Sequence, residues 1–127
     1  MPLPRDHRQQ HAGAVEVARA AGLSVSVTLA VAFGCPFEGE VPVERVASVV
    51  DRVSDLGIDE LALADTVGVG VPPQVLELGA LVDARVPRLR FHFHNTRNTG
   101  FANAAAALEW GVDWLDSSNG GIGGCPF

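Results

Sequence analysis

Two hydrophobic periods alternate along this chain, and that alternation limits the fold more than any other feature. Ala14, Val15, Val17, Ala18 and Ala21 form an apolar stripe at helical spacing, predicting a helix from His7 to Ala21. Gly22 follows it as a natural left-handed stop. Leu23 to Phe33 then alternates and is rich in β-branched residues, which predicts a strand. Pro42 opens a second helix, where its missing N–H has no partner to lose; Val43, Val46, Ala47, Val50 and Val53 line one face and Gly57 ends it. The same reading gives a strand at Glu60–Asp65, a helix at Pro72–Ala84 and a strand at Arg88–Asn95. A helix at Phe101–Trp110 and a strand at Val112–Ser117 complete it. The order α-β-α-β-α-β-α-β, in units of roughly 30 residues, is that of βα units in a parallel sheet. An internal echo agrees: Gly57-Ile58-Asp59-Glu60-Leu61 and Gly111-Val112-Asp113-Trp114-Leu115 are the same helix-to-strand corner. Gly-Cys-Pro-Phe also occurs twice, at Gly34–Phe37 and Gly124–Phe127, each just beyond a strand. Periodicity alone fits an open doubly wound sheet or part of a barrel. A full (β/α)8 barrel needs ~250 residues, so length by itself favours the open sheet.

With 47% hydrophobic and 19% charged residues in 127, the chain has the profile of one globular α/β domain, residues 1–127. All nine basic residues are arginines, scattered along a chain of formal net charge −6. That argues against nucleic acid or an anionic membrane as partner. No apolar run approaches the roughly 18–20 residues of a membrane span, and the first residues lack a signal-peptide apolar core. The expected location is cytoplasmic. Two cysteines are too few for a disulfide-stapled scaffold.

Reactive side chains gather where the strands end, the edge at which parallel α/β folds build sites. The strongest signal is Arg90-Phe91-His92-Phe93-His94-Asn95. Alternate strand residues share a face, so His92 and His94 point one way and the two phenylalanines the other. Two imidazoles at this spacing can ligate one metal ion from the same side; a hydrogen-bonded pair of core histidines is the alternative. Asp65, followed by Thr66, closes the second strand either as an active-site carboxylate or as a cap for its own loop. Gly68-Val69-Gly70 lacks the pattern of a phosphate loop and reads as a flexible loop over a site. Gly120-Gly121-Ile122-Gly123-Gly124-Cys125 can bend close to a ligand, with Cys125 as an acid or base at its tip or as an incidental thiol. Cys35 reads as buried or structural, with a bridge or shared metal site with Cys125 geometrically open.

Four motifs occur in one order: Gly34-Cys35-Pro36-Phe37-Glu38-Gly39, Asp65-Thr66-Val67-Gly68-Val69-Gly70, His92-Phe93-His94-Asn95-Thr96, and Asp116-Ser117-Ser118 leading into Gly121-Ile122-Gly123-Gly124-Cys125-Pro126-Phe127. Together they resemble hydroxymethylglutaryl-CoA lyase, in the family of metal-dependent, aldolase-like TIM-barrel lyases. The resemblance runs from about Leu23 to the last residue. The Gly-Gly-Cys-Pro ending sets it apart from acyl-CoA condensing synthases and 4-hydroxy-2-oxoacid aldolases, the related alternative. The resemblance implies an acyl-CoA substrate, cleavage of 3-hydroxy-3-methylglutaryl-CoA to acetoacetate and acetyl-CoA in leucine degradation, and a divalent metal, Mg²⁺ or Mn²⁺. It makes His92 and His94 the metal ligands, Asp65 an active-site carboxylate and Cys125 the catalytic loop thiol. Two imidazoles alone suit Mn²⁺ better than Mg²⁺, which prefers oxygen; in the family further oxygen ligands come from elsewhere.

The resemblance also implies a partial TIM (β/α)8 barrel of about four βα units, strands five to eight, which overturns the preference for an open sheet. The family's first-strand Asp ligand, its neighbouring Arg segment and the Asn ligand beyond the Gly-Gly-Cys-Pro loop have no counterpart here. Asn95 also stands where many relatives carry Asp. A half barrel exposes two strand edges, so the expectation is a homo-oligomer or a chain completed by the missing barrel half, with at most weak lyase activity alone. A non-catalytic half barrel that dimerises or binds a partner is the third reading.

Overall fold

The computed structural model describes residues 7–122, with side chains from His11 onward. The elements are α1 (His7–Ala20), β1 (Ser26–Leu29), α2 (Val43–Ser54), β2 (Glu60–Ala64), α3 (Pro72–Val82), β3 (Leu89–His92), α4 (Gly100–Trp110) and β4 (Trp114–Leu115). The alternation read from the sequence is therefore present in full. Gly22, Gly57 and Gly111, placed where helices hand over to strands, all have positive φ (72°, 74° and 105°). A side chain at these corners would be strained, which is why glycine ends each helix.

The strands form one parallel sheet in the order β1-β2-β3-β4. Its register sorts the side chains into two faces. Val27 pairs with Leu61 and Leu61 with Leu89; Leu29 pairs with Leu63, Leu63 with Phe91 and Phe91 with Leu115. This apolar set lies in one core with Val46 and Val50 of α2, Val75, Leu78 and Val82 of α3, and Ala107 of α4. Leu61, Leu63, Phe91, Val50, Val75 and Val82 are fully buried. Burying a side chain of this size stabilises by about 1.5–3 kcal/mol, so this face holds the sheet and helices together. The other face pairs Ser26 with Glu60, Ala62 with Arg90, Ala64 with His92 and Arg90 with Trp114. Ser26, Thr28 and Trp114 there are exposed, and Glu60, Arg90 and His92 half-buried.

The strands are shorter than the sequence predicts, for identifiable reasons. β1 stops at Leu29 because Val31 adopts φ 54°, a rare conformation for a β-branched residue. The Val31 N–H donates to Thr66 Oγ1 at 2.9 Å, and the ladder resumes with Ala32 N–H to Ala64 O at 3.1 Å. β3 ends at His92, where its partner β2 ends at Ala64; its pairing with the two-residue β4 stops one residue earlier, at Phe91. Pro42 caps α2 from outside, with extended backbone (φ −61°, ψ 139°), rather than forming its first turn. Among the described residues, no helix is long and apolar enough to cross a membrane.

Candidate functional site

β3 carries the site. Phe91 and Phe93 point to the helix side, their rings stacked at 5.4 Å, and Phe33 packs edge-on against Phe93 at 5.8 Å. This aromatic block holds the end of β3 in place and leaves His92 and His94 on the opposite face. His94 lies two residues past the strand, yet its imidazole still meets that of His92. Their Nε2 atoms are 3.0 Å apart, with ring centroids at 5.0 Å.

The other nitrogen of His92 is also committed. Its Nδ1 lies 2.7 Å from Asp116 Oδ2, just beyond β4. A carboxylate accepts only, so Nδ1 carries the proton and donates. In the neutral ring Nε2 is then a bare lone pair facing His94. Arg90, one strand-face position before His92, donates from Nη1 to the other oxygen of Asp116 at 2.9 Å. Its Nη2 lies 3.2 Å from Glu60 Oε1 and 3.3 Å from Ser26 Oγ. The sequence pattern by itself assigns no role to Asp116 or Arg90. The signal for Arg90 was available, since it shares the period-two face of His92; Asp116 was visible only as a motif residue at a strand end.

Asp65 sits elsewhere. It is fully buried, with 0% of its surface exposed, on the helix side of the sheet. Oδ1 accepts the Val69 N–H at 3.0 Å and Oδ2 the Gly70 N–H at 2.9 Å. Gly70 O in turn accepts from Asn103 Nδ2 of α4 at 2.9 Å. These are the bonds of a loop cap, and they tie down the Gly68-Val69-Gly70 segment that reads as flexible in the sequence. The backbone N–H of Asp65 donates to His92 O of β3 at 2.9 Å. Cys35 is half-buried and free, in a tight loop closed by Cys35 N–H to Gly39 O at 2.8 Å. Cys125 lies outside the described residues.

Among the described residues, the carboxyls of Glu38 and Asp59 have displaced titrations. The Arg45 guanidinium beside Glu38 holds that carboxyl below its usual range. The Val25 N–H, donating to Asp59 Oδ2 at 2.7 Å, does the same for Asp59, with Arg19 adding to it. A cleft of about 580 Å³ adjoins the histidine pair, lined by His92, His94, Thr96, Phe101, Asp116 and Ser118 among others. A groove of about 800 Å³ between α2 and α3 is lined by Glu44, Asp51, Arg52, Glu77 and Arg85 among others, with Arg85 Nε paired to Asp51 Oδ1 at 2.9 Å, and contains none of the histidines.

Among the described residues, no group of three or more His, Cys, Asp or Glu side chains is placed to hold a metal ion. The histidine pair nevertheless fits as two members of a larger set. Two nitrogens each about 2.1 Å from one ion and at right angles to each other are about 3.0 Å apart, the spacing seen here. A ligating imidazole also typically donates its second N–H to a carboxylate, as His92 does to Asp116.

A family model described as HMGL-like matches residues 4–125. The chain belongs to the HMGL-like family. It is 48% identical over 108 residues to the (R)-citramalyl-CoA lyase of Chloroflexus aurantiacus, covering 84% of this chain and 34% of that protein. It is 41% identical over 112 residues to a hydroxymethylglutaryl-CoA lyase of Bacillus subtilis, covering 87% of this chain and 38% of that one. The crystal structure of the B. subtilis HMG-CoA lyase superposes with a TM-score of 0.89 at 36% identity, over 98% of this chain and 43% of the other. An HMG-CoA lyase from Acinetobacter baumannii, in complex with coenzyme A and 3-methylmalate, gives 0.83 at 40% identity, over 94% and 40%. The chain thus spans about a third of the length of the curated relatives it matches. Its four-stranded sheet with packed helices corresponds to part of the TIM barrel of an HMGL-like lyase, as the resemblance implied and as length alone did not.

Proposed function

We propose that this HMGL-like chain is part of a carbon–carbon lyase that cleaves a 3-hydroxy-3-methylacyl-CoA by a retro-aldol reaction. The observation that carries the reading is the convergence of His92 and His94, backed by Asp116, at the C-terminal ends of the strands. In the favoured substrate, 3-hydroxy-3-methylglutaryl-CoA, a base takes the proton of the 3-hydroxyl, the C2–C3 bond breaks and the hydroxyl carbon becomes the ketone of acetoacetate. The bonding electrons pass to the acetyl-CoA fragment as an enolate, which takes up a proton to leave acetyl-CoA. This is the cleavage that leucine degradation uses.

His92 and His94 would hold a divalent cation, Mg²⁺ or Mn²⁺, through Nε2. Bound there, it would supply Lewis-acid polarisation of the substrate's hydroxyl and carbonyl oxygens. The remaining tasks fall to the chain. Asp116 fixes the tautomer and orientation of His92 through its Nδ1–H. Asp65 holds the loop 65–70 beside the end of β3. Cys125 is assigned the proton return to the enolate. The open edges of β1 and β4 would pair with further strands, from the same polypeptide or a second copy; without them, activity is weak or absent.

A second reading concerns substrate length. The identity to a lyase named for (R)-citramalyl-CoA is higher than that to the B. subtilis HMG-CoA lyase. Citramalyl-CoA has the same 3-hydroxy-3-methyl centre but carries its carboxylate one methylene closer. An assay of the protein with each thioester and Mn²⁺ decides. Acetoacetate from the glutaryl thioester supports the first reading, and pyruvate from the citramalyl thioester the second. Neither product in a complete barrel containing this segment refutes the lyase assignment.

A further inference from the structure

The open face of the sheet carries one polar chain that crosses all four strands, and its centre is Arg90. Ser26 of β1 donates from Oγ to Glu60 Oε1 of β2 at 2.9 Å. Glu60 pairs with Arg90 of β3, Arg90 with Asp116 beyond β4, and Asp116 with His92. The Arg90 side chain is 26% exposed, that of Glu60 18% and that of Asp116 30%. The Arg90 Nε is buried with no partner among the described residues, so the two Nη groups, one per carboxylate, set the position of the guanidinium.

We propose that Arg90 is a positioning residue that fixes the tautomer of His92 by holding Asp116. Asp116 has two oxygens and two neighbours, and Arg90 occupies Oδ1. That leaves Oδ2 directed at Nδ1 of His92. A carboxylate free to rotate at this exposure would share its oxygens with water, and the bias toward the Nδ1–H form would be lost. The planar fork of arginine suits this bridging, because one cation reaches two carboxylates in fixed directions. Glu60 has a second effect: as a second carboxylate on the guanidinium, beside Asp116, it offsets positive charge near the proposed cation site. The inference rests on the metal reading only for its consequence, since the tautomer is a property of the chain itself.

The test is ¹⁵N–¹H correlation of the histidine ring nitrogens at mildly alkaline pH, with His92 assigned by His92→Gln. The native protein is expected to show His92 as the Nδ1–H tautomer. Arg90→Met should populate the Nε2–H form and weaken Mn²⁺ binding about 10-fold, within the range for outer-shell partners of metal ligands. Arg90→Lys, which keeps a cation beside Asp116, should restore most of the native ring pattern. If Arg90→Met does not fold, Glu60→Gln frees one side of the guanidinium and should shift the tautomer in the same direction by less. Ring signals of His92 unchanged in the folded variant, or a native His92 in the Nε2–H form, overturn the proposal. A native protein that fails to bind Mn²⁺ while Arg90→Met still shifts the tautomer refutes the metal reading and upholds the positioning role.

Discussion

Replacing Asp65 separates a carboxylate that builds the site's scaffold from one that only takes part in chemistry. Both oxygens are occupied, by the N–H groups of Val69 and Gly70, and the residue is fully buried. In Asp65→Asn the amide presents one oxygen and one NH₂, so one of the two backbone donors faces another donor. A hydrogen bond to a charged group is worth about 1.5–3 kcal/mol, and losing one gives an expected cost of about 2–3 kcal/mol. Asp65→Ala removes both acceptors. The Gly70 N–H is then buried without a partner, at about 1–3 kcal/mol, and the half-buried Val69 N–H recovers water at smaller cost. The total expected for Asp65→Ala is about 3–5 kcal/mol. Urea titration followed by circular dichroism measures both. Because Gly70 also accepts from Asn103, Asn103→Ala combined with Asp65→Asn should cost less than the sum of the singles. If Asp65→Asn changes stability by less than about 0.5 kcal/mol while abolishing activity, the loop-cap argument is wrong and the carboxylate acts on substrate.

Phe91 is fully buried and stacked on Phe93, so Phe91→Ala should destabilise by about 3–5 kcal/mol in the same titration. Mn²⁺ should bind more tightly than Mg²⁺, since imidazole nitrogen suits the softer ion; His94→Ala should abolish Mn²⁺ binding measured by electron paramagnetic resonance, and retained binding would remove the pair from the site. The Asp59 carboxyl is held below its ordinary 3.8 by the Val25 N–H. Its folded value is depressed, so the stability it adds is full above the ordinary value and is lost as pH falls through the lower folded one. The stability gap between the native protein and Asp59→Asn should therefore be constant near neutrality and close only in acid, and a gap independent of pH down to complete acid unfolding would refute this.

Most of the fold was legible because its two faces follow the simplest rule in the chain. Leu61, Leu63, Leu89 and Phe91 alternate with Ala62, Ala64 and Arg90, and the parallel register lines up each set across the sheet. Helix boundaries were legible for the same reason, marked by Gly22, Gly57 and Gly111. Strand ends were not. The β-branched pattern runs on through Val31, and only a hydroxyl 35 positions away, on Thr66, turns the backbone there. Local propensity contains no information about such a partner. Partial barrel and open sheet were equally compatible with periodicity; the ordered motifs, not the physics of alternation, favoured the barrel.

The site divides along the same line. His92 and His94 were found because they share a face at spacing two, within one strand. Asp116 and Arg90 complete the arrangement through contacts 24 and 26 positions apart in sequence, which period-two reasoning cannot join until the register of β3 on β4 is known. That register pairs Arg90 with Trp114, and it places the residue two further along, Asp116, level with His92. A one-residue slip would turn the Asp116 side chain to the helix side and leave His92 without its acceptor. The apolar face therefore does more than stabilise the sheet. By pairing Phe91 with Leu115 inside the core, it sets the register on which the His92–Asp116 bond depends.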